Sequence, residues 1–391
     1  MSLIVDSDAL AEFCRRQAKA DFLALDTEFM RDRTFWPILC LIQVAGPEEA
    51  AAIDPLAPGI DLAPFFALLA DPHILKVFHA ARQDIEIFFN LTGAVPAPIF
   101  DTQVAGMVCG FGEAASYETL ASRLADAHID KSSRFTDWSH RPLTDRQLRY
   151  AMADVVPLRA VYENLAARLK RTGRASWLDE EMATLTDPQT YRLEPELAWR
   201  RLKLRSNNRR MLALAHALAA WREATAQQRD LPRNRVLRDE SLLEIAAHAP
   251  QSVADLARSR GLGKGFAESK FGGEILGVVR RVLAAPESGY PEAEPRREQR
   301  QGAGPLVDLL RVLLKLRSEE NDVASRLIAD AEDLEALAGD DHAKVKALSG
   351  WRNEIFGRDA LDLKHGRLAL TFGGRRIKLV RLDLPASHAA Q

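Results

Sequence analysis

Along the first 170 residues the spacing of apolar and polar positions changes repeatedly, and each change marks a predicted element. Leu3 to Asp6 is a short extended run. Ser7 to Lys19 places Leu10, Phe13 and Cys14 on one helical face, with Ser7 or Asp8 as its cap. Phe22–Phe29, Leu39–Ala45, Glu49–Asp54, Leu75–Phe78 and Ile99–Thr102 predict strands. The run at 39–45 is almost continuously apolar, as expected of a strand buried on both faces. Helices are expected over Ile60–Leu69, Ala80–Leu91, Gln103–Cys109 and Tyr117–Ala125, and a long one over Asp145–Lys170 capped by Thr144. That last helix carries Leu148, Ala151, Val155, Leu158 and Tyr162 on one face. Between them His128–Leu143 is polar and aperiodic. Strands that later alternate with helices predict a mixed α/β domain with helices on its sheet.

From Pro195 onward the strand pattern disappears for a long way. Helices are expected over Glu196–Leu204, Asn208–Gln228, Asp239–Ala247, Ser252–Ser259 and Lys264–Leu283. Ala285–Pro305 is rich in Pro, Glu, Arg and Gly and poor in aliphatic residues, the composition of a mobile linker. Pro305–Ala338 and Lys344–Phe356 are helical again, and Gly366–Leu384 alternates weakly enough to form a hairpin at Gly373-Gly374. The resulting division is an α/β domain over 1–194, an all-α domain over 195–285, a linker over 286–304 and a second helical domain over 305–391.

A chain of 391 residues exceeds one compact core, in keeping with two or three domains. No run of about 18 apolar residues is present, so no membrane-spanning helix is expected. No basic-then-apolar secretory signal is visible at the N-terminus. Cys14, Cys40 and Cys109 lack metal-type spacing and lie among apolar residues, consistent with reduced thiols in the cytoplasm. The net charge of −2 conceals an asymmetry. Residues 1–195 hold 19 Lys and Arg against 28 Asp and Glu, whereas residues 196–285 hold 17 against 9. A basic block following an acidic one suggests a polyanion on the former and cations on the latter.

The acidic segment has a pattern of its own. Asp26 and Glu28 stand two apart on a strand, so they project to one face. Like charges there are costly unless a cation joins them, and hard divalent cations prefer oxygen ligands. Asp84 opens the helix after the Leu75–Phe78 strand. Tyr150 and Asp154, four apart, share a helical face. Phosphodiester hydrolysis calls for an activated water and charge compensation on the leaving oxygen, which a pair of divalent ions held by several carboxylates supplies. A tyrosine hydroxyl beside them can orient the water.

Asp26-Thr-Glu28, Asp84 within His79-Ala-Ala-Arg-Gln-Asp84, and Tyr150-Ala-Met-Ala-Asp154 resemble the three motifs of the DEDD exonuclease superfamily, tyrosine subtype. Lys131-Ser-Ser-Arg-Phe-Thr-Asp-Trp-Ser-His-Arg-Pro-Leu is similar to the ribonuclease D family in particular. The segment from Leu218 through Asp230-Leu-Pro-Arg-Asn-Arg-Val-Leu to Gly261-Leu resembles an HRDC domain, a small helical nucleic-acid-binding module; 305–391 resembles a second one weakly. The resemblance implies a ribonuclease-H-like mixed-sheet domain followed by two small all-α domains. It also implies 3′→5′ trimming of RNA 3′ ends, by family likeness tRNA precursors, with release of nucleoside 5′-monophosphates. By the family pattern Asp26, Glu28 and Asp154 hold one metal, and Asp26 bridges to a second (Mg²⁺ or Mn²⁺). Asp84 supports that second metal and Tyr150 positions the nucleophile. A single-stranded RNA partner and a monomer are the accompanying expectations.

Further residues are candidates for nucleic-acid contact. Phe29 and Met30 pack on the terminal base or ribose, or in the core. Trp138 stacks on a base or anchors its loop. Arg233 and Arg235, following Pro232 in an expected loop, touch phosphate or form a solvated face. His79 is expected in a loop near the site, and Glu86 in solvent. Two other readings stay open: the same chemistry directed at DNA, and a catalytically silent RNA-binding protein.

Overall fold

The computed structural model describes residues 2–204, 206–292 and 303–382. Six strands form one mixed sheet in the order β1-β4-β3-β2-β5-β6: β1 (Ser2–Ile4), β2 (Phe22–Met30), β3 (Ile38–Ala45), β4 (Ala50–Ile53), β5 (Leu75–Phe78) and β6 (Ile99–Asp101). β2 is central: it runs antiparallel to β3 and parallel to β5. Both of its faces are covered, which is why Leu23, Ala24 and Leu25 are all buried in succession.

Helices α1 (Ser7–Gln17), α2 (Ala63–Ala70) and α3 (Arg82–Thr92) close one face. There Leu10, Phe13, Phe65, Ile85 and Phe88 meet Leu23, Leu25, Ile42 and Val44. Helices α4 (Thr102–Val108), α5 (Tyr117–Ala125) and the long α6 (Asp145–Thr172) close the other, with Ala151, Val155, Leu158 and Val161 against Ala24, Leu41 and Val77. The cap of α6 is Thr144, as expected, in a reciprocal capping box with Gln147. The cap of α1 is Asp6 rather than Ser7 or Asp8. A further helix, α7 (Asp179–Thr186), follows α6 and has no counterpart in the sequence pattern.

The basic segment is helical. It comprises α8 (Arg209–Arg229), α9 (Arg233–Val236), α10 (Asp239–His248), α11 (Val253–Ala257), α12 (Lys264–Ala267) and α13 (Lys270–Ala284). Three expectations are corrected here. Pro195–Arg201 is a 3₁₀ turn, not an α-helix. Arg233 and Arg235 lie on a one-turn helix instead of a loop. The helix expected over 264–283 breaks at Ser269, whose side chain caps α13 by accepting from the Gly272 N–H.

The start of the expected linker is packed: Tyr290 is buried and its hydroxyl donates to the Val282 carbonyl. The remainder, over 293–302, lies outside the described residues. The single helix expected over 305–338 is three: α14 (Ala303–Asn321), α15 (Ser325–Ile328) and α16 (Ala331–Gly339). The first break is at Asp322, whose φ of 51° is left-handed. α17 (Gly350–Arg352) runs through a π-turn into α18 (Arg358–Lys364), and β7 (Leu368–Gly373) pairs with β8 (Arg376–Arg381) as the expected hairpin.

The C-terminal helices do not hang from the chain. Leu310, Leu313, Leu327, Ile328 and Phe356 share one apolar core with Val108, Leu120, Leu165 and Leu169. At its edge Trp177 and Trp351 stack at 4.2 Å, and the fully buried Arg352 reaches Glu180 and Glu181 on α7. The basic segment docks elsewhere, on the connection between β2 and β3, where Asp230 accepts from the Phe35 and Trp36 N–H groups at 2.9 Å each. Among the described residues no helix is long and apolar enough to cross a membrane.

Candidate active site

β2 pairs with β5 only over Phe22–Ala24, so its second half runs past the end of that neighbour. Asp26 and Glu28 stand on this overhang and project toward α6 by the strand's alternation. Opposite them across β3 are Gln43 and Leu41. The register shifts between Glu28 and Phe29, a bulge that ends regular pairing beside the acids.

Asp154 comes down from the third turn of α6. Pro157 inside that helix has no N–H, which leaves the Ala153 carbonyl without its usual partner. The Tyr117 hydroxyl donates to that carbonyl at 3.0 Å, so the turn that carries Asp154 is braced from α5. Oxygens of Asp26, Glu28 and Asp154 all lie within 4.8 Å of one another, the one acid cluster of this kind among the described residues.

Asp84 reaches the group from the first turn of α3. The turn before it is held by Asp101, whose carboxylate accepts from the Ala80 and Ala81 N–H groups at 3.0 and 2.9 Å. Ala80 there has a left-handed φ of 60°, a conformation that costs a non-glycine residue and needs such bracing. Thr27, between the two strand acids, donates its hydroxyl to Asp84.

Electrostatics follow from this crowding. Burial, then the charges of Asp84, Asp154 and Glu28, raise Asp26 well above the ordinary carboxylate range. Burial and the same neighbours push Glu28 to about 9. Asp84 is pushed up to about 7 by burial, against the opposing hydrogen bond from Thr27. Asp154 also rises to about 7 through burial, offset by a hydrogen bond from Tyr150 and the charge of Arg134. Burial likewise raises Tyr150 far above its usual range, so it is a neutral hydrogen-bond donor at any working pH. An all-oxygen, mutually repelling, part-buried set fits a hard divalent cation, whose charge would reverse the cost of gathering it.

The acids open into a cavity of about 410 Å³ lined by Asp26, His79, Tyr117, Arg134, Tyr150 and Asp154. His79 sits in the loop after β5, its Nδ1 3.0 Å from the Thr102 hydroxyl. Arg134 and Tyr117 had no role assigned from sequence. Arg134 is a cation facing Glu28 and Asp154 from the aperiodic loop, and its signal was a basic residue in that polar stretch. Tyr117 gave no signal, because its partner is a carbonyl freed 36 residues away.

The other contact candidates separate. Phe29 and Met30 are half-buried and pack against opposite cores. Trp138 is only 2% exposed, its ring 5.9 Å from Tyr150, so the base-stacking reading is corrected: the indole anchors the loop beneath the site. Arg233 is engaged within the protein, bound through Nε and Nη2 to the buried Glu223 at 2.5 Å and lying over the Phe35 ring. It cements the domain contact instead of facing phosphate. Arg235 is exposed. Glu86 is not simply solvated but pairs with Arg31 at 2.7 Å.

Comparison with known proteins agrees with this architecture. Residues 1–170 match the 3'-5' exonuclease family model and residues 211–279 the HRDC domain model. The chain is 53% identical to ribonuclease D of Acidiphilium cryptum over 98% of its length and 97% of that protein's. It is 50% identical to ribonuclease D of Granulibacter bethesdensis, over 97% and 96%. Among solved structures it is similar to Escherichia coli RNase D, described as an exoribonuclease involved in structured RNA processing. That match has a TM-score of 0.81 at 31% identity and covers 93% of this chain and 98% of that one. An acid cluster on an overhanging central strand, a tyrosine hydrogen-bonded to one of the acids, an HRDC segment and whole-length likeness together place this chain in the ribonuclease D family of 3′→5′ exoribonucleases.

Proposed function

We propose that the protein shortens the 3′ ends of tRNA precursors one nucleotide at a time, as a monomer in the cytoplasm, using two divalent ions (Mg²⁺ or Mn²⁺). The observation that carries this reading is the clustering of Asp26, Glu28 and Asp154 beside a cavity that Asp26, Asp154 and Tyr150 line. Buried, unpaired thiols at all three cysteines suit a reducing compartment. When bound, the ions supply an activated water and charge compensation on the departing oxygen.

The chain's residues do the rest. Asp26, Glu28 and Asp154 would hold the ion that supplies the activated water, and Asp26 would hold the other with Asp84 supporting it through water. The Tyr150 hydroxyl, steadied by Asp154, orients the water toward phosphorus. Arg134 faces the same acids and is suited to a non-bridging phosphate oxygen. Water adds to phosphorus, the bond to the 3′ oxygen breaks, and that oxygen takes a proton. A nucleoside 5′-monophosphate leaves, and the shortened RNA keeps a 3′ hydroxyl. Residues 195–285, carrying the basic excess and exposed Arg235, tether the RNA backbone. Residues 305–382 form a second module, weakly HRDC-like, that acts through packing on the exonuclease domain.

The test is digestion of a tRNA bearing a 3′ extension with Mg²⁺ or Mn²⁺, set against the same length of single-stranded DNA. Stepwise release of 5′-monophosphates from the RNA is expected. Internal cuts, 3′-phosphate products or equal turnover of the DNA would overturn the proposal.

A further inference from the structure

Beneath the acids, β3 carries one polar side chain in a strand of apolar ones. Gln43 is 0% exposed, and neither its amide oxygen nor its amide nitrogen has a hydrogen-bond partner among the described residues. Leaving both ends of a buried amide unpaired is costly, so such a residue calls for an explanation. Packing alone does not supply one. Its neighbours along β3, Ile42 and Val44, are apolar and completely buried, and an aliphatic side chain would fill the same volume without that cost.

Position supplies the explanation. Gln43 is the cross-strand partner of Asp26. Facing residues of an antiparallel pair stand on one side of the sheet with Cβ atoms about 4.5–5.5 Å apart, within reach of a Gln side chain and a carboxylate. Asp26 is the acid most hemmed in by the others, with Asp84, Asp154 and Glu28 all acting on it. A carboxylate that ligates a cation needs a donor behind it to fix its orientation.

Resting on the reading that these acids hold divalent cations, we infer that Gln43 is a positioning residue: its amide N–H groups donate to the Asp26 carboxylate, directly or through one ordered water, when the cation is bound. Hydrogen bonds behind metal-ligating carboxylates orient them and tune affinity, and their loss typically costs 10- to 100-fold in metal binding.

The test is Gln43→Met, nearly isosteric and without the amide, read by Mn²⁺ titration (electron paramagnetic resonance of the free ion) and by metal-free melting temperature. Mn²⁺ affinity should fall about tenfold or more, while the metal-free melting temperature holds or rises because an unpaired buried amide has been removed. A purely structural glutamine would give the opposite pattern. Unchanged Mn²⁺ affinity overturns the inference. So does failure of the variant to fold, provided Gln43→Leu fails as well, since an amide without partners cannot be essential to the metal-free fold. If Gln43→Met does not fold but Gln43→Leu does, Gln43→Leu is read by the same two measurements. The parent protein is the control: should it bind no Mn²⁺, the metal reading of the acids fails first and this inference falls with it.

Discussion

At the scale of single residues, the acids are held in a state that disfavours their own charge. Glu28 is held to about 9, and Asp84 and Asp154 to about 7 each, against about 4 in an unfolded chain. As pH rises from about 4, the unfolded chain gives up protons that the folded one retains, so metal-free stability falls until the pH passes about 7 to 9. The melting temperature in EDTA should therefore decline between pH 5 and pH 8, and added Mn²⁺ should restore more of it at the higher pH. A flat profile in EDTA would show that the acids are not crowded in solution. Asp154→Asn removes one of these charges while keeping the shape. It should raise the metal-free melting temperature at pH 8 and lower turnover by roughly 10³-fold or more, the scale for groups that act as a unit. Retained turnover in the pure variant would contradict the site.

At the scale of elements, the site depends on how α6 is started and braced. Thr144 begins the helix nearly three turns before Asp154, with Gln147 closing the capping box. Thr144→Ala should cost about 1 kcal/mol of stability, seen as a lower urea midpoint with an unchanged slope. No change would mean that the start of α6 is set by packing alone. Element identity was largely legible from periodicity: Leu75–Phe78 and Tyr117–Ala125 have the bounds that the pattern predicts. Failures gathered where tertiary contacts override local preference. At Asp322 the chain leaves the helix in a left-handed conformation, and Ala324 then donates to the Met107 carbonyl across the domain boundary. The bonus of that contact exceeds the small cost of interrupting a helix, and nothing in the local pattern reports it.

For the whole molecule, the C-terminal region belongs to the exonuclease core. Glu113 accepts from the Ser325 and Arg326 N–H groups, Arg168 pairs with Asp322, and one apolar cluster runs through both regions. A chain ending at residue 302 would expose that face, and large apolar patches drive association. Such a truncation should aggregate or melt well below the full protein; a soluble monomer of unchanged melting temperature would show the two regions to be independent. RNA affinity should fall steeply between 50 and 200 mM salt if the basic segment neutralises several phosphates. Salt-insensitive binding would remove that segment from the interface.

By itself the sequence determined the mixed α/β order, the three acidic motifs and the charge division, because each is written in spacing and composition: two residues on a strand, four on a helix, a basic excess in one stretch. Only the tertiary structure decided which of those residues face one another. It buried Trp138, tied Arg233 to Glu223 and set Arg134 against the acids. It also supplied a carbonyl for Tyr117 at the turn bearing Asp154. The physical reason is that burial and hydrogen-bond partnership are properties of pairs distant along the chain, and local periodicity carries no record of them.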